Sequence, residues 1–168
     1  MKTELKILLK SLYAGEITNR EFLGSYFDNE IPSADYLENL LTRAIDLNSS
    51  DIVEEAVVLL YTKTFNIEDV VQLLCELIKE PWHTKHEDIV MLLADVKDPK
   101  TVDCIYEAAI LKFEYLNYDE TYQLARKCIK VLSGIGDKNS IEKLKLLSAY
   151  KVPLIANYAK KELLRKDL

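Results

Sequence analysis

The sequence predicts an all-α chain assembled from pairs of short helices. Apolar residues recur at helical spacing along nearly its whole length, as in Val70, Val71, Leu74, Cys75, Leu77 and Ile78, or Leu124, Cys128, Val131, Leu132 and Ile135. Only four glycines and four prolines occur in 168 residues, too few for the tight turns of an all-β sandwich. Turn and cap signals interrupt the helical pattern at short intervals, and about ten helices result.

The first break, Gly15 to Thr18, ends one helix and opens another, with Thr18 and Glu21 at the spacing of a capping box. Further breaks fall at Ile31 to Ser33, Asn48 to Asp51, Phe65 and Asn66, Glu80 to Thr84, Asp98 and Pro99, Asn117 to Asp119, Gly134 to Asp137, and Tyr150 to Pro153. Thr84 and Glu87 also have capping-box spacing. Pro99 and Pro153 fit the first turn of a helix, where a missing amide hydrogen costs nothing. Gly134 and Gly136 suit a left-handed helix stop before Asp137 caps the next element.

The pairs echo one another. Leu93, Val96, Asp98, Val102 and Ile105 recur 39 positions later as Leu132, Ile135, Asp137, Ile141 and Leu144. First helices then begin near 34, 67, 102 and 141, and second helices run near 51–63, 85–96, 119–135 and 153–165. We expect one domain over 1–168, with a two-helix cap over 1–30 and repeats over 33–166. The period and the turn Leu132-Ser-Gly-Ile-Gly-Asp137 resemble the HEAT repeat family. That resemblance implies a right-handed α-α superhelix of about four helix pairs, with a partner-binding surface lined by the second helices.

Charge adds direction. The net charge of −6 divides unequally: residues 1–84 carry seven Lys/Arg against fifteen Asp/Glu, whereas 85–168 carry fifteen against thirteen. Between Asp28 and Glu55 eight acids face only Arg43, a pattern that repels phosphate backbones and attracts basic surfaces. No nucleic-acid partner is expected. The chain has no twenty-residue apolar run, and its first ten residues mix charged with apolar side chains, so neither a membrane partner nor a signal peptide is expected and the cytoplasm is the anticipated location. Three cysteines without CxxC spacing indicate neither a disulfide framework nor a zinc site, and Cys75 and Cys128 fall on apolar faces.

Two segments concentrate interaction chemistry. Pro81 to Asp88 holds the only tryptophan, Trp82, and both histidines, His83 and His86, followed by Glu87 and Asp88. As metal ligands these residues have the wrong spacing for HExxH. The alternatives are a helix entry, with Thr84 and Glu87 capping and Trp82 covering the core, or a partner-binding centre. One repeat later, Tyr115, Tyr118, Asp119, Glu120 and Tyr122 interleave aromatics with carboxylates, with Arg126 and Lys127 placed to pair with them. On a regular stack both clusters would share one rim, while the bland reading of Tyr115 and Tyr122 is half-buried packing. A glycine-rich phosphate loop, a GxSxG elbow and a Cys–His pairing are all missing, so no enzyme and no cofactor are expected. HEAT-like DNA glycosylases and phycobilin lyases share the expected architecture, but the former need a strongly basic surface and the latter a chromophore cleft.

The stretch from Leu5 to Phe27, with Leu12-Tyr-Ala-Gly-Glu-Ile-Thr-Asn-Arg-Glu-Phe22 at its centre, resembles the first helical hairpin of bacterial immunity proteins of the colicin and contact-dependent inhibition type. The segments Trp82 to Ile89, Leu92 to Pro99, Tyr115 to Glu120 and Ala125 to Ile129 are similar to small bacterial HEAT-like proteins, several of them toxin-immunity partners. The resemblance implies a protein partner: a toxin domain with a basic surface, neutralised by binding. A general cytoplasmic adaptor or scaffold is the competing expectation, and a nucleic-acid-modifying or lyase-type enzyme a third.

Overall fold

The computed structural model describes residues 3–166; the outermost residues of the expected domain, 1, 2, 167 and 168, lie outside it. The described residues form ten α-helices and no strand. In order they are α1 (Thr3–Tyr13), α2 (Asn19–Tyr26), α3 (Tyr36–Asp46), α4 (Ser50–Tyr61), α5 (Val71–Leu77), α6 (His86–Val96), α7 (Val102–Ile110), α8 (Gln123–Ile135), α9 (Lys138–Ser148) and α10 (Pro153–Leu164). Short 3-10 turns at Ile67–Val70 and Pro99–Thr101 lead into α5 and α7, and a third spans Glu114–Leu116.

Caps set most boundaries. Thr18 accepts from the Glu21 amide while the Glu21 carboxylate accepts from the Thr18 amide, the reciprocal box expected there. Asn66, Asp98 and Asp137 each accept a backbone amide just before α5, α7 and α9. The echo at 39 residues extends deeper than the apolar pattern. The Thr101 hydroxyl donates to the Asp98 carbonyl and the Ser140 hydroxyl to the Asp137 carbonyl, and both side chains are buried. Gly136 closes α8 with φ +70, whereas Gly134 lies inside α8, so only one of the two glycines makes the stop. The expected Thr84–Glu87 box does not form. Helix α6 starts after Lys85 with no side-chain cap, and Glu87 instead accepts from Lys127 Nζ at 2.6 Å.

Helices α3, α5, α7 and α9 touch in succession, as do α4, α6, α8 and α10, and within each consecutive pair the two helices pack on one another. Buried residues such as Leu41, Val53, Leu74, Ile89, Ile105 and Leu132 fill the space between the two rows. At the N-terminal end α1 and α2 pack together, and an aromatic cluster of Phe22, Tyr26, Phe27, Tyr36 and Phe65 ties them to the following helices. Within it the Tyr26 hydroxyl donates to Glu55 and accepts from the Tyr36 hydroxyl at 2.8 Å. Among the described residues no helix is long and apolar enough to cross a membrane.

One sequence expectation is overturned outright. Cys75 on α5 and Cys104 on α7 form a disulfide, their Cα atoms 5.4 Å apart. No local spacing announces it, because two neighbouring helices of one row bring together residues 29 apart. Cys128 stays a buried thiol, and burial pushes its pKa up. Cross-linking residues 29 apart removes loop entropy from the unfolded chain worth about 3.6 kcal/mol. Reduction should therefore lower Tm by about 7–14 °C in scanning calorimetry; an unchanged Tm would show that the cross-link contributes nothing.

Candidate functional site

The segment that sequence marks as richest in interaction chemistry turns inward. His83 and His86 are 1% and 0% exposed. Their Nε2 atoms lie 2.7 Å from the Leu77 carbonyl and 2.9 Å from the Glu80 carbonyl, at the end of α5 and in the turn that follows. A carbonyl can only accept, so both rings carry their proton on Nε2. Each Nδ1 then accepts: from the Lys85 amide at 3.1 Å for His83, and from the Tyr115 hydroxyl at 2.8 Å for His86. The two imidazoles stack with centroids 4.2 Å apart, and His86 continues onto Phe113 at 3.7 Å and Tyr115 at 5.5 Å. Trp82 meets His83 edge-on and donates from Nε1 to the Glu80 carboxylate at 2.9 Å.

These contacts decide what the cluster can do. All four imidazole nitrogens are engaged, so neither ring offers a free lone pair to a metal ion or a substrate proton. Among the described residues no three His, Cys, Asp or Glu side chains converge as a metal site. Burial lowers the pKa of both histidines, and for His86, with His83 stacked beside it, the value falls to about 4. Burial, reinforced by the Glu87 charge, raises the Tyr115 phenol to about 12. The expectation that His83 and His86 form a contact surface is corrected: they hold the α5–α6 turn against the 111–122 segment.

The two sequence clusters do meet, through His86–Tyr115 and through Glu87–Lys127, the latter between α6 and α8. Most of the other expected contact residues are occupied locally. The Asp119 carboxylate accepts from the Thr121 amide and hydroxyl and from the Gln123 amide, capping the start of α8, and these donors hold its pKa down. Tyr122 stands at the entry to α8 with φ 53, in the left-handed region. Asp88 is half-buried; its carbonyl accepts from the Tyr61 hydroxyl at 3.2 Å. Arg126 does not pair with a carboxylate but lies over the Tyr158 ring, 5.7 Å from its centroid. Of the expected aromatic rim Tyr118, 82% exposed, stands clear of the protein beside exposed Glu120, and Tyr122 is exposed to a lesser degree.

Two groups of accessible charge lie toward the ends of the chain. Near the N-terminal end, Asp35, Glu38 and Asp69 surround a depression with Leu37 and Phe65 in its wall, and Ile31 stands 95% exposed on the preceding loop. Among the described residues none of these three acids joins an ion pair; Asp35 accepts from Ser33 and Asn39, contacts that lower its pKa, and Asp69 accepts from Asn66 at 3.5 Å. By contrast Glu54 is held by Lys85 at 3.2 Å and Glu55 by Tyr26, so the C-terminal part of the acidic stretch 28–55 is already engaged. At the opposite end of the chain α8 and α10 present Arg126, Lys130, Lys161 and Arg165. Compared with family models, curated proteins and solved structures, the chain matches none.

The cluster's neutrality fixes a pH response. An unfolded histidine binds its proton below about pH 6.5, whereas folded His86 stays neutral down to about 4. Its contribution is therefore complete above pH 6.5 and is lost as pH falls toward 4, by roughly 3 kcal/mol in all. Urea unfolding across pH 7 to 4.5 should show this loss, with a flatter profile in His86→Gln; identical slopes would contradict it. Tyr115→Phe strands Nδ1 of His86 inside the protein and should cost about 1–3 kcal/mol in the same experiment at pH 7.

Proposed function

We propose that this chain is a non-catalytic protein-binding module, a HEAT-like stack of helix pairs in a right-handed superhelix, that acts as an immunity protein by blocking a toxin domain with a basic surface. The observation that carries this reading is the N-terminal depression lined by exposed acids outside any ion pair among the described residues, Asp35, Glu38 and Asp69, with exposed Ile31 on the loop before α3. Unpaired carboxylates around an apolar wall give both parts of a partner site: long-range attraction that speeds encounter, and apolar contact that slows release. The helix-pair reading draws support from the two rows of successive contacts and from the paired caps at Asp98 and Asp137.

We place the proposed contact away from Trp82 and the histidines. Those side chains are committed to the interior joint, whereas the acids at 35, 38 and 69 have no cation to release before a partner binds. Binding at such a surface weakens with salt. The cytoplasmic setting belongs to the same proposal, and the Cys75–Cys104 bond sets a condition on it, because reducing compartments hold thiols open.

Co-expression with any toxin domain found encoded by a neighbouring gene tests the reading. The wild-type chain should restore growth and co-elute with the toxin in gel filtration. Asp35→Lys/Glu38→Lys/Asp69→Lys should lose protection and at least a hundredfold in affinity while its Tm stays within a few degrees. Protection by the triple variant would move the site elsewhere; absence of protection by the wild type would end the immunity reading.

A further inference from the structure

The basic end of the protein has a design of its own. Arg126 and Lys130 are four residues apart on α8, and Tyr158, Lys161 and Arg165 follow at three- and four-residue steps on and just beyond α10, so each set shares one helix face. The two helices pack side by side, and between these faces runs a groove of about 270 Å³ with buried Ile129 in its wall. Four cations line it against one acid, Glu162, which Arg165 engages at 3.2 Å. Among the described residues, Arg126, Lys130 and Lys161 join no ion pair. Like charges four apart on a helix repel one another, and here the repulsion on both helices faces the same groove.

We propose that this groove docks an acidic polypeptide segment, its carboxylates held by Arg126, Lys130, Lys161 and Arg165 and an apolar side chain seated beside Tyr158. Guanidinium groups take carboxylates in two parallel hydrogen bonds, and Tyr158 offers contact area at small entropic cost. The seat is short: twelve residues of α10 span about 18 Å, room for roughly five extended residues. A nucleic-acid strand fits less well, because the chain as a whole carries −6. The groove uses none of the residues of the N-terminal depression, so this inference does not depend on the immunity reading.

Fluorescence anisotropy with a labelled twelve-residue peptide of Asp, Glu and Leu tests it. Saturable binding is expected, weakening at least tenfold in Lys130→Glu/Lys161→Glu and unchanged in Lys100→Glu/Lys145→Glu, with Tm of both variants near wild type. No saturable binding, or equal binding by the groove variant, would overturn the proposal. So would tighter binding of a twelve-nucleotide single strand, which would make the groove a phosphate seat. Dimers in sedimentation that the groove variant disperses, without peptide binding, would instead assign the face to a second copy of the chain.

Discussion

A helix of seven to thirteen residues does not hold together alone in water, and every helix in this protein falls in that range. Each must bury an apolar face against neighbours, and the two rows of successive contacts are the result. Polar side chains then serve two tasks. Asn66, Asp98 and Asp137 satisfy the orphan amides where helices start, and the histidine pair satisfies carbonyls where α5 ends. The joint around His86 matters because it reaches beyond its own helix pair. Through Tyr115 and Phe113 it fixes the segment linking α7 to α8, and so sets where α8 begins.

That joint also explains why the most conspicuous residues of the sequence are not its surface. An imidazole buried neutral, with a donor to one nitrogen and an acceptor at the other, costs little to desolvate and specifies the turn around it. No buried side-chain nitrogen or oxygen among the described residues lacks a partner, which is the condition for a polar cluster to be tolerated in a core. Two groups of exposed charge remain toward the ends of the chain: acids around the depression at α3, cations between α8 and α10. A partner that complements both ends would be oriented by them, since reversing it sets like charges face to face.

Much of the fold was legible because its signals are local. Helical periodicity, the Thr18–Glu21 box, Pro99 and Pro153 at helix starts and the stop at Gly136 each depend on residues a few positions apart. What failed depends on three-dimensional neighbours. The Cys75–Cys104 bond requires knowing that α5 and α7 lie side by side. Thr84 and Glu87 have box spacing, but Lys127 from α8 competes for the Glu87 carboxylate and His83 takes the Lys85 amide. Burial of His83 and His86 could have been suspected from their spacing of three onto apolar Ile89 and Val90, yet their acceptors are backbone carbonyls, which no side-chain pattern marks. The cations of the groove do share helical spacing at 126 and 130 and at 161 and 165; that signal was readable, and only the adjacency of α8 and α10 gives it meaning.

The account turns on the histidine cluster being a sealed, neutral joint and not a contact face. With only two histidines in the chain, a long-range nitrogen–proton NMR spectrum of the imidazoles reads this directly. At pH 7 both rings should show the Nε2–H tautomer, and the His86 nitrogens should not begin to titrate until pH approaches 4. Mixed tautomers titrating together near pH 6.5 would mean that the rings are open to water, and would contradict the account.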